Sequence, residues 1–225
     1  MKIGCYIVFL HFLLFSFSQA AAAKPSPERT VSADPDRMAI DNVLIETVSN
    51  IRGSGTVVKT IVVPAGPLAE EISQSFILTA GHVIGNASAV IVIKDGHEYP
   101  AKVICRSARP DVALLCVDVK LHSAELALSY LPTRLDDIYV ASCPSGAPYT
   151  WVIRGTVGCP KLNVKANGCE QFGLIGVNCT AQPGMSGGGV YDARGRMIEI
   201  FTIHLGNDSL GAFVPLNDFY KLIPK

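Results

Sequence analysis

The sequence has no excess of charge of either sign and no pair of cysteines spaced as CxxC. Nineteen basic side chains balance nineteen acidic ones, so no field of one sign attracts a nucleic acid or an anionic membrane surface. The missing CxxC pair argues against a zinc site. No internal repeat is visible, which leaves an ordinary globular domain whose function lies in a local site.

The first 23 residues predict a secretory signal. Lys2 precedes an apolar run over residues 3–17, and small residues follow, with possible cleavage after Ala20, Ala22 or Ala23. We therefore expect a secreted or otherwise extracytoplasmic protein that has no stable membrane association once the signal is removed. The alternative is an uncleaved anchor, because residues 3–23 approach the roughly 20 residues that span a bilayer.

Six cysteines remain after the signal, an even number that favours disulfides in an oxidising compartment. They are Cys105, Cys116, Cys143, Cys159, Cys169 and Cys179. Sequence does not fix the connectivity, but Cys159 with Cys169 is the favoured pair, across the "PKLNVKANG" segment taken as a loop. The alternative is a set of buried free thiols.

Long helical periodicity is missing except in "PLNDFYKLI" near the C-terminus, where we expect a short helix. Residues 24–39 are rich in proline and polar side chains and predict a flexible leader. The rest forms about eleven short β-branched runs between turn residues, which predicts an all-β domain over residues 40–225. We expect an N-terminal barrel at about 40–120, a linker at about 121–137 and a C-terminal barrel at about 138–225; the alternative is one larger sandwich.

The segment "TAQPGMSGGGVYD", residues 180–192, surrounds Ser186 with glycines. Glycine permits a backbone path that side chains would obstruct. A linker or a simple turn would also use glycine, so the segment needs further support. Serine becomes a nucleophile at neutral pH when an imidazole takes its proton and a carboxylate orients that imidazole.

His82 and Asp111 are the candidate partners. His82 follows a strand-like run in the small-residue turn "FILTAGHVI", whereas His97 lies in a predicted hairpin and His122 in the predicted linker. Asp111 opens the apolar strand "VALLCV", where a rigid backbone can direct the carboxylate into a cleft. Acyl transfer also needs backbone N–H groups aimed at a developing oxyanion, and Gly184 and Ser186 can supply them.

The segments "LTAGHV", "RPDVALLCV" and "PGMSGGGVYDARGRMIEI" resemble, in that order, the three active-site segments of chymotrypsin-fold serine peptidases. The resemblance covers about residues 53–222, and "GSGTVV" and "GAFVPL" make it closest to HtrA-type peptidase domains and their viral relatives. It implies two six-stranded antiparallel barrels and a catalytic triad of His82, Asp111 and Ser186. It also implies an oxyanion hole at Gly184 and Ser186, peptide or protein substrates, and no cofactor or metal.

The chain departs from its relatives in two respects. It ends at Lys225, where HtrA proteins continue into a PDZ domain, so we expect no PDZ domain. It also has no "IVGG" start of the kind that orders the active site in digestive relatives.

By the same resemblance, Thr180, Thr202, Ile203 and His204 line the substrate pocket. None carries a carboxylate, which disfavours lysine or arginine substrates. A histidine at this wall suits acidic or polar side chains, although in some viral relatives it stands where this chain has Phe201. Two other functions stay open: a catalytically silent peptidase-fold module that binds a partner, and an esterase that uses the same chemistry.

Overall fold

The computed structural model describes residues 33–63, 71–166, 169–205, 209–215, 221, 223 and 224. The side chains of Val63, Ala166, Cys169, Ile203 and His204 are outside that description. So are the predicted signal at residues 1–23 and most of the predicted C-terminal helix. Within the described ranges, no helix is long and apolar enough to cross a membrane.

Six antiparallel strands form the first barrel, in the order β1-β2-β3-β6-β5-β4. They are β1 (Asn42–Glu46), β2 (Arg52–Val63), β3 (Ile72–Thr79), β4 (Ala89–Lys94), β5 (His97–Ala108) and β6 (Asp111–Val117). Pairing of β1 with β4, with Leu44 opposite Ile93, closes the barrel. A single helical turn, α2 (Gly81–Ile84), follows β3.

Six further antiparallel strands form the second barrel, in the order β10-β11-β12-β9-β8-β7. They are β7 (Asp137–Ser142), β8 (Trp151–Ala166), β9 (Cys169–Asn178), β10 (Gly189–Tyr191), β11 (Met197–His204) and β12 (Leu210–Pro215). A short 3₁₀ helix (Pro144–Gly146) follows β7, and Val190 opposite Val140 closes the barrel. The predicted all-β fold with two six-stranded barrels is therefore confirmed, and the single sandwich is wrong.

Strand β6 shows how the two barrels share one buried interface. All seven of its residues are buried. Ala113 and Leu115 pack in the interior of the first barrel, whereas Val112 and Leu114 join a cluster that includes Tyr191 from the second barrel. Because side chains alternate along a strand, one strand can serve both cores. This arrangement places the start of β6 at the junction of the barrels.

The end of the predicted leader is folded. Asp34 is the N-cap of helix α1 (Pro35–Ile40), and its carboxylate accepts a hydrogen bond from the N–H of Asp36 at 3.1 Å. Proline in the first turn suits a helix start, because its missing N–H would have no partner there. Met38 is fully buried, so its packing holds this turn against the body of the protein.

The favoured disulfide was wrong. "PKLNVKA" belongs to β8 instead of forming a loop. In the β8–β9 hairpin Cys159 lies opposite Gly176, and Cys169 lies opposite Ala166. Seven residues of strand therefore separate the two positions, about 20 Å at strand rise. Cys159 is a free thiol, as are Cys105, Cys116, Cys143 and Cys179. Of these, Cys116, Cys143 and Cys179 are buried, as the alternative of buried free thiols expects, whereas Cys105 and Cys159 are partly exposed.

Candidate active site

His82 lies on α2, directly after β3, and is oriented by two contacts with one carboxylate. Its backbone N–H donates to Asp111 Oδ1 at 2.8 Å, and its ring Nδ1 lies 2.5 Å from Asp111 Oδ2. The imidazole is one-third exposed, whereas the Asp111 side chain is 6% exposed. The ring is thus held by a buried anchor while its other edge remains accessible.

Asp111 stands at the first position of β6, and a third group holds its carboxylate. The Thr202 hydroxyl on β11 donates to Oδ2 at 2.8 Å. Burial alone would raise the pKa of Asp111, but the hydrogen bonds and charge of His82, together with the Thr202 bond, outweigh it and lower the pKa. An ionised carboxylate accepts hydrogen bonds only, so the proton between it and His82 belongs to Nδ1. The neutral imidazole then has its lone pair at Nε2.

Ser186 lies in the glycine turn between β9 and β10. Its Oγ lies 3.5 Å from the carbonyl oxygen of Thr202, the residue whose hydroxyl binds Asp111. Thr202 therefore contacts two of the three predicted catalytic residues. No hydrogen bond joins Ser186 Oγ to the His82 ring in this structure, although both residues are fully described.

Glycine at position 187 is required by close approach. Its φ is +91°, and a Cβ there would collide with the carbonyl oxygen of Ser54 and with Thr79 Oγ1. Thr79 and Ala80 lead directly into α2, so the missing side chain lets the serine turn pack against the segment that carries His82. This packing brings the predicted nucleophile and base to the same junction of the barrels.

The backbone N–H groups of Gly184 and Ser186 are free of protein acceptors among the described residues. Gly184 has a φ of +89°, and a Cβ on it would meet the Cys143 carbonyl oxygen and the N–H groups of Ser145 and Gly146, each at 2.8 Å. Neighbouring donors in the turn do have partners: the Met185 N–H binds the Gln182 carbonyl at 3.2 Å. Two N–H groups beside Ser186 are therefore available to an acceptor on a ligand.

Two of the predicted substrate residues, Thr180 and Thr202, have described side chains, and these lie in different surroundings. Thr180 lines an open cavity of about 380 Å³. The other residues that line it are Pro144, Ser145, Ala147, Tyr149, Trp151, Ile153 and Gln182. The rings of Tyr149 and Trp151 stack with centroids 6.5 Å apart. The Thr202 side chain is 1% exposed and directed at Asp111, and it does not line this cavity. The side chains of Ile203 and His204 lie outside the described residues.

A second cavity, of about 290 Å³, is lined in part by His82. Its walls are Gly81, His82, Gly85, Asn86, Arg106, Ser107, Ala108, Asp111 and Gln171. Gln171 reaches across from β9 and donates to the Ala108 carbonyl at 2.8 Å. Among the described residues, no group of three or more His, Cys, Asp or Glu side chains is arranged to hold a metal ion.

Two relationships at the barrel junction had no signal in the sequence. The first is the role of Thr202 as a partner of Asp111. The second is a further His–Asp pair, in which His122 Nδ1 lies 2.5 Å from Asp41 Oδ1. The His122 side chain is 56% exposed as expected for the linker, but Asp41 is buried. Both pairs join segments more than 80 residues apart, which local patterns do not reveal.

Comparisons with known proteins show the family of this chain. Residues 53–199 match the family described as trypsin-like peptidase domain. The chain is 26% identical over 185 residues to the serine protease Do-like HtrA of Lactobacillus helveticus, covering 80% of this chain and 42% of that protein. It is 30% identical over 154 residues to the periplasmic pH-dependent serine endoprotease DegQ of Escherichia coli, covering 64% of this chain and 33% of that protein.

The solved structures share the fold at low sequence identity. The protease domain of MamO from Magnetospirillum magneticum superimposes with a TM-score of 0.69 at 16% identity, covering 84% of this chain and 98% of that one. The chain spans less than half the length of the two curated relatives named above. The family match extends over well more than half of the chain, and this chain therefore belongs to the trypsin-like peptidase family.

Proposed function

We propose that this chain is a serine endopeptidase that cleaves peptide bonds through an acyl-enzyme. Ser186 is the nucleophile, His82 the general base and then acid, and Asp111 the group that orients His82. The observation that carries the proposal is the 2.5 Å contact between His82 Nδ1 and Asp111 Oδ2. An ionised Asp111 keeps the ring proton on Nδ1, so that Nε2 can accept the serine proton.

The reaction follows from these positions. Ser186 Oγ forms a bond to the carbonyl carbon of the substrate while its proton passes to His82 Nε2. That proton then moves to the leaving amine as the C–N bond breaks, which leaves an ester on Ser186. Water then attacks the ester carbonyl carbon while its proton passes to the same Nε2. The bond between that carbon and Ser186 Oγ breaks as His82 returns the proton to Oγ, which releases the acid product and restores the serine.

The free N–H groups of Gly184 and Ser186 support the assignment of the oxyanion hole. Charge develops on the substrate oxygen in the transition state, and donors already oriented toward it need no reorganisation. Loss of one such donor costs about 3 kcal/mol of activation free energy in known hydrolases.

The substrate is a polypeptide with an uncharged side chain beside the scissile bond. Among the described residues, no carboxylate lines the cavity between Thr180 and Trp151, so a buried lysine or arginine would have no counter-charge from them. The exposed rings of Tyr149 and Trp151 favour apolar side chains.

We place the protein outside the cytoplasm. The predicted signal at residues 1–23 supports this, and a relative at 30% identity is a periplasmic endoprotease. Free thiols at the five described cysteines do not require an oxidising compartment, so the signal is the main support.

The second candidate is a silent binding module. It is favoured by one observation, the missing hydrogen bond between Ser186 Oγ and His82, with Ser186 Oγ instead 3.5 Å from the Thr202 carbonyl. Catalytic contacts often tighten only when substrate is bound, so this distance does not argue strongly for it.

Hydrolysis assays separate the candidates. The parent protein should digest casein, Ser186→Ala should not, and Ser88→Ala, an exposed serine in the turn before β4, should behave like the parent. Turnover of a nitrophenyl ester without digestion of casein would favour an esterase. A folded parent that hydrolyses neither substrate would favour the binding module.

A further inference from the structure

Ser54 on β2 makes four hydrogen bonds, and three of them reach the second barrel. Its hydroxyl donates to the Gly184 carbonyl at 2.8 Å and accepts from the Cys143 N–H at 2.7 Å. Its N–H donates to the Ser186 carbonyl at 2.8 Å. Its own carbonyl accepts from Thr79 Oγ1 at 2.6 Å. The residue is fully buried, so no water replaces these partners.

The two carbonyls held by Ser54 belong to a series of four that face the protein. The Pro183 carbonyl accepts from the Ser145 N–H at 2.6 Å, and the Met185 carbonyl accepts from the Gly188 N–H at 3.0 Å. Ser54 holds the other two, those of Gly184 and Ser186. With all four carbonyls fixed inward, the N–H groups of Gly184 and Ser186 are left without protein acceptors.

We propose that Ser54, on the first barrel, is a positioning residue for residues 183–188 of the second barrel, here called the oxyanion turn. It holds this turn in its active orientation. The inference rests on the proposed function of that turn. Its main element is the Ser54 hydroxyl, because the bond from the Ser54 backbone N–H survives any side-chain substitution. The same hydroxyl accepts a hydrogen bond from the Cys143 N–H. Cys143 directly precedes the 3₁₀ helix in which the Ser145 N–H binds the Pro183 carbonyl. The Ser54 side chain therefore contacts both the turn and the segment that holds its Pro183 carbonyl.

Glycine is the reason that such support is needed. Gly184 has a φ of +89°, and a glycine adopts positive and negative φ with similar ease. Without the Ser54 hydroxyl, the Gly184 carbonyl is a buried acceptor with no partner, and rotation of the adjoining peptides relieves it. That rotation carries the Gly184 N–H away from the substrate oxygen.

The test compares Ser54→Ala with Ser142→Ala. Ser142 is a fully buried serine one residue before Cys143, and its hydroxyl has no partner in the structure, so its removal breaks no hydrogen bond. We expect Ser54→Ala to lower kcat on a peptide substrate by about 10- to 100-fold with KM within about threefold of the parent. Affinity for a peptide boronic acid, which mimics the tetrahedral intermediate, should fall in parallel with kcat/KM. The acid limb of the pH profile should not move, because His82 and Asp111 are untouched.

Ser54→Cys provides a second variant if Ser54→Ala does not fold. A thiol is a weaker donor of similar shape. If Ser54→Ala folds, the kcat of Ser54→Cys should lie between those of the parent and Ser54→Ala. If Ser54→Ala does not fold, the kcat of Ser54→Cys should lie well below that of the control Ser142→Cys. Equal kcat in the parent and in the folded Ser54 variants would overturn the inference alone. So would an effect confined to KM, or an equal loss in the Ser142 variants. A parent that neither cleaves peptides nor reacts at Ser186 would overturn the proposed function and this inference with it.

Discussion

The Thr202 hydroxyl donates to Asp111 Oδ2 at 2.8 Å, from β11 of one barrel to β6 of the other. The carbonyl of the same residue lies 3.5 Å from Ser186 Oγ. Thr202 therefore connects the carboxylate and the nucleophile directly, and it spans the junction between the barrels. A buried hydrogen bond to a charged group contributes more to stability than one between neutral groups.

Replacement of Thr202 by valine should weaken both stability and activity. The variant keeps the shape but removes a bond that lowers the pKa of Asp111, so that pKa should rise. A carboxyl whose folded-state pKa is depressed stabilises the protein above its unfolded-state pKa, and this stabilisation disappears as the pH falls through the folded-state value. We expect unfolding in urea to show a loss of about 1.5–3 kcal/mol at neutral pH that shrinks toward pH 3.

Thr156→Val on β8 is the matched control for this prediction, because the Thr156 hydroxyl makes no hydrogen bond within the described residues. Its stability should differ little from that of the parent. A Thr202→Val deficit that is the same at pH 3 and pH 7 would contradict the assignment to Asp111.

Gly184→Ala should abolish most hydrolysis. The new Cβ would lie 2.8 Å from the Cys143 carbonyl oxygen at a φ of +89°, so the turn must shift and misdirect its N–H groups. A fall in kcat/KM of at least about 100-fold is expected, which corresponds to the loss of one oxyanion donor. The control is Gly96→Ala in the β4–β5 turn, which has a similar φ of +79° but open space around the new Cβ. Gly96→Ala should retain activity, and comparable losses in both variants would refute a specific role for the turn.

Loss of the His122 side chain should destabilise the protein most at neutral pH. Burial raises the pKa of Asp41, although the hydrogen bond and charge of His122, and the charges of Arg37 and Lys94, oppose this. His122→Ala removes the main opposing partner, so the pKa of Asp41 rises further. When the folded-state pKa of a carboxyl is raised above its unfolded-state value, the free energy of unfolding of the protein falls as the pH rises between the two values. The free energy of unfolding of His122→Ala should therefore be lower than that of the parent by about 1–3 kcal/mol at pH 7, and the difference should be smaller at pH 4.

His97→Ala is the reference for that measurement. His97 lies in the exposed β4–β5 hairpin, where its ring lies 3.2 Å from the Asp95 carbonyl oxygen and stacks with Tyr99. Thermal unfolding of this variant should stay close to that of the parent across the pH range. An equal effect of both substitutions would show that the buried Asp41 carboxylate is not the cause.

Hydrolysis should depend on pH through the base and not through Asp111. Histidine side chains titrate between about pH 5 and pH 8, and a protonated imidazole accepts no proton from serine. Asp111, with its lowered pKa, stays ionised throughout that interval. We expect kcat/KM for a neutral peptide to fall steadily from about pH 8 to about pH 5, and a flat profile would contradict general-base catalysis.

Local patterns predicted the parts of the site that the chain encodes locally. The glycines around Ser186, the small residues beside His82 and the apolar run after Asp111 each mark a backbone requirement within a few residues. The sequence predicts about eleven strands and the structure has twelve within its described residues. Strand β1 has a weak signal because its apolar core, "VLI", is short and borders polar residues. The last part of β8, "PKLNVKA", resembles a loop in sequence because lysine and asparagine alternate there with apolar residues.

The contacts of Ser54 and Thr202 were beyond sequence reasoning for a different reason. Ser54 binds Gly184 across 130 residues, and Thr202 binds Asp111 across 91. A hydroxyl has no local signature of its distant partner, so such contacts emerge only when both barrels are assembled. The resemblance alone places Thr202 in the substrate pocket, and Ser54 stands only within "GSGTVV", one of the segments that support the resemblance.

The most direct test of the account is covalent labelling by a fluorophosphonate probe, followed by mass spectrometry of the modified peptide. The account predicts one adduct on Ser186 of the parent protein, greatly slowed labelling of His82→Ala, and none on Ser186→Ala. Absence of labelling in the folded parent, or an adduct on another serine, would contradict it.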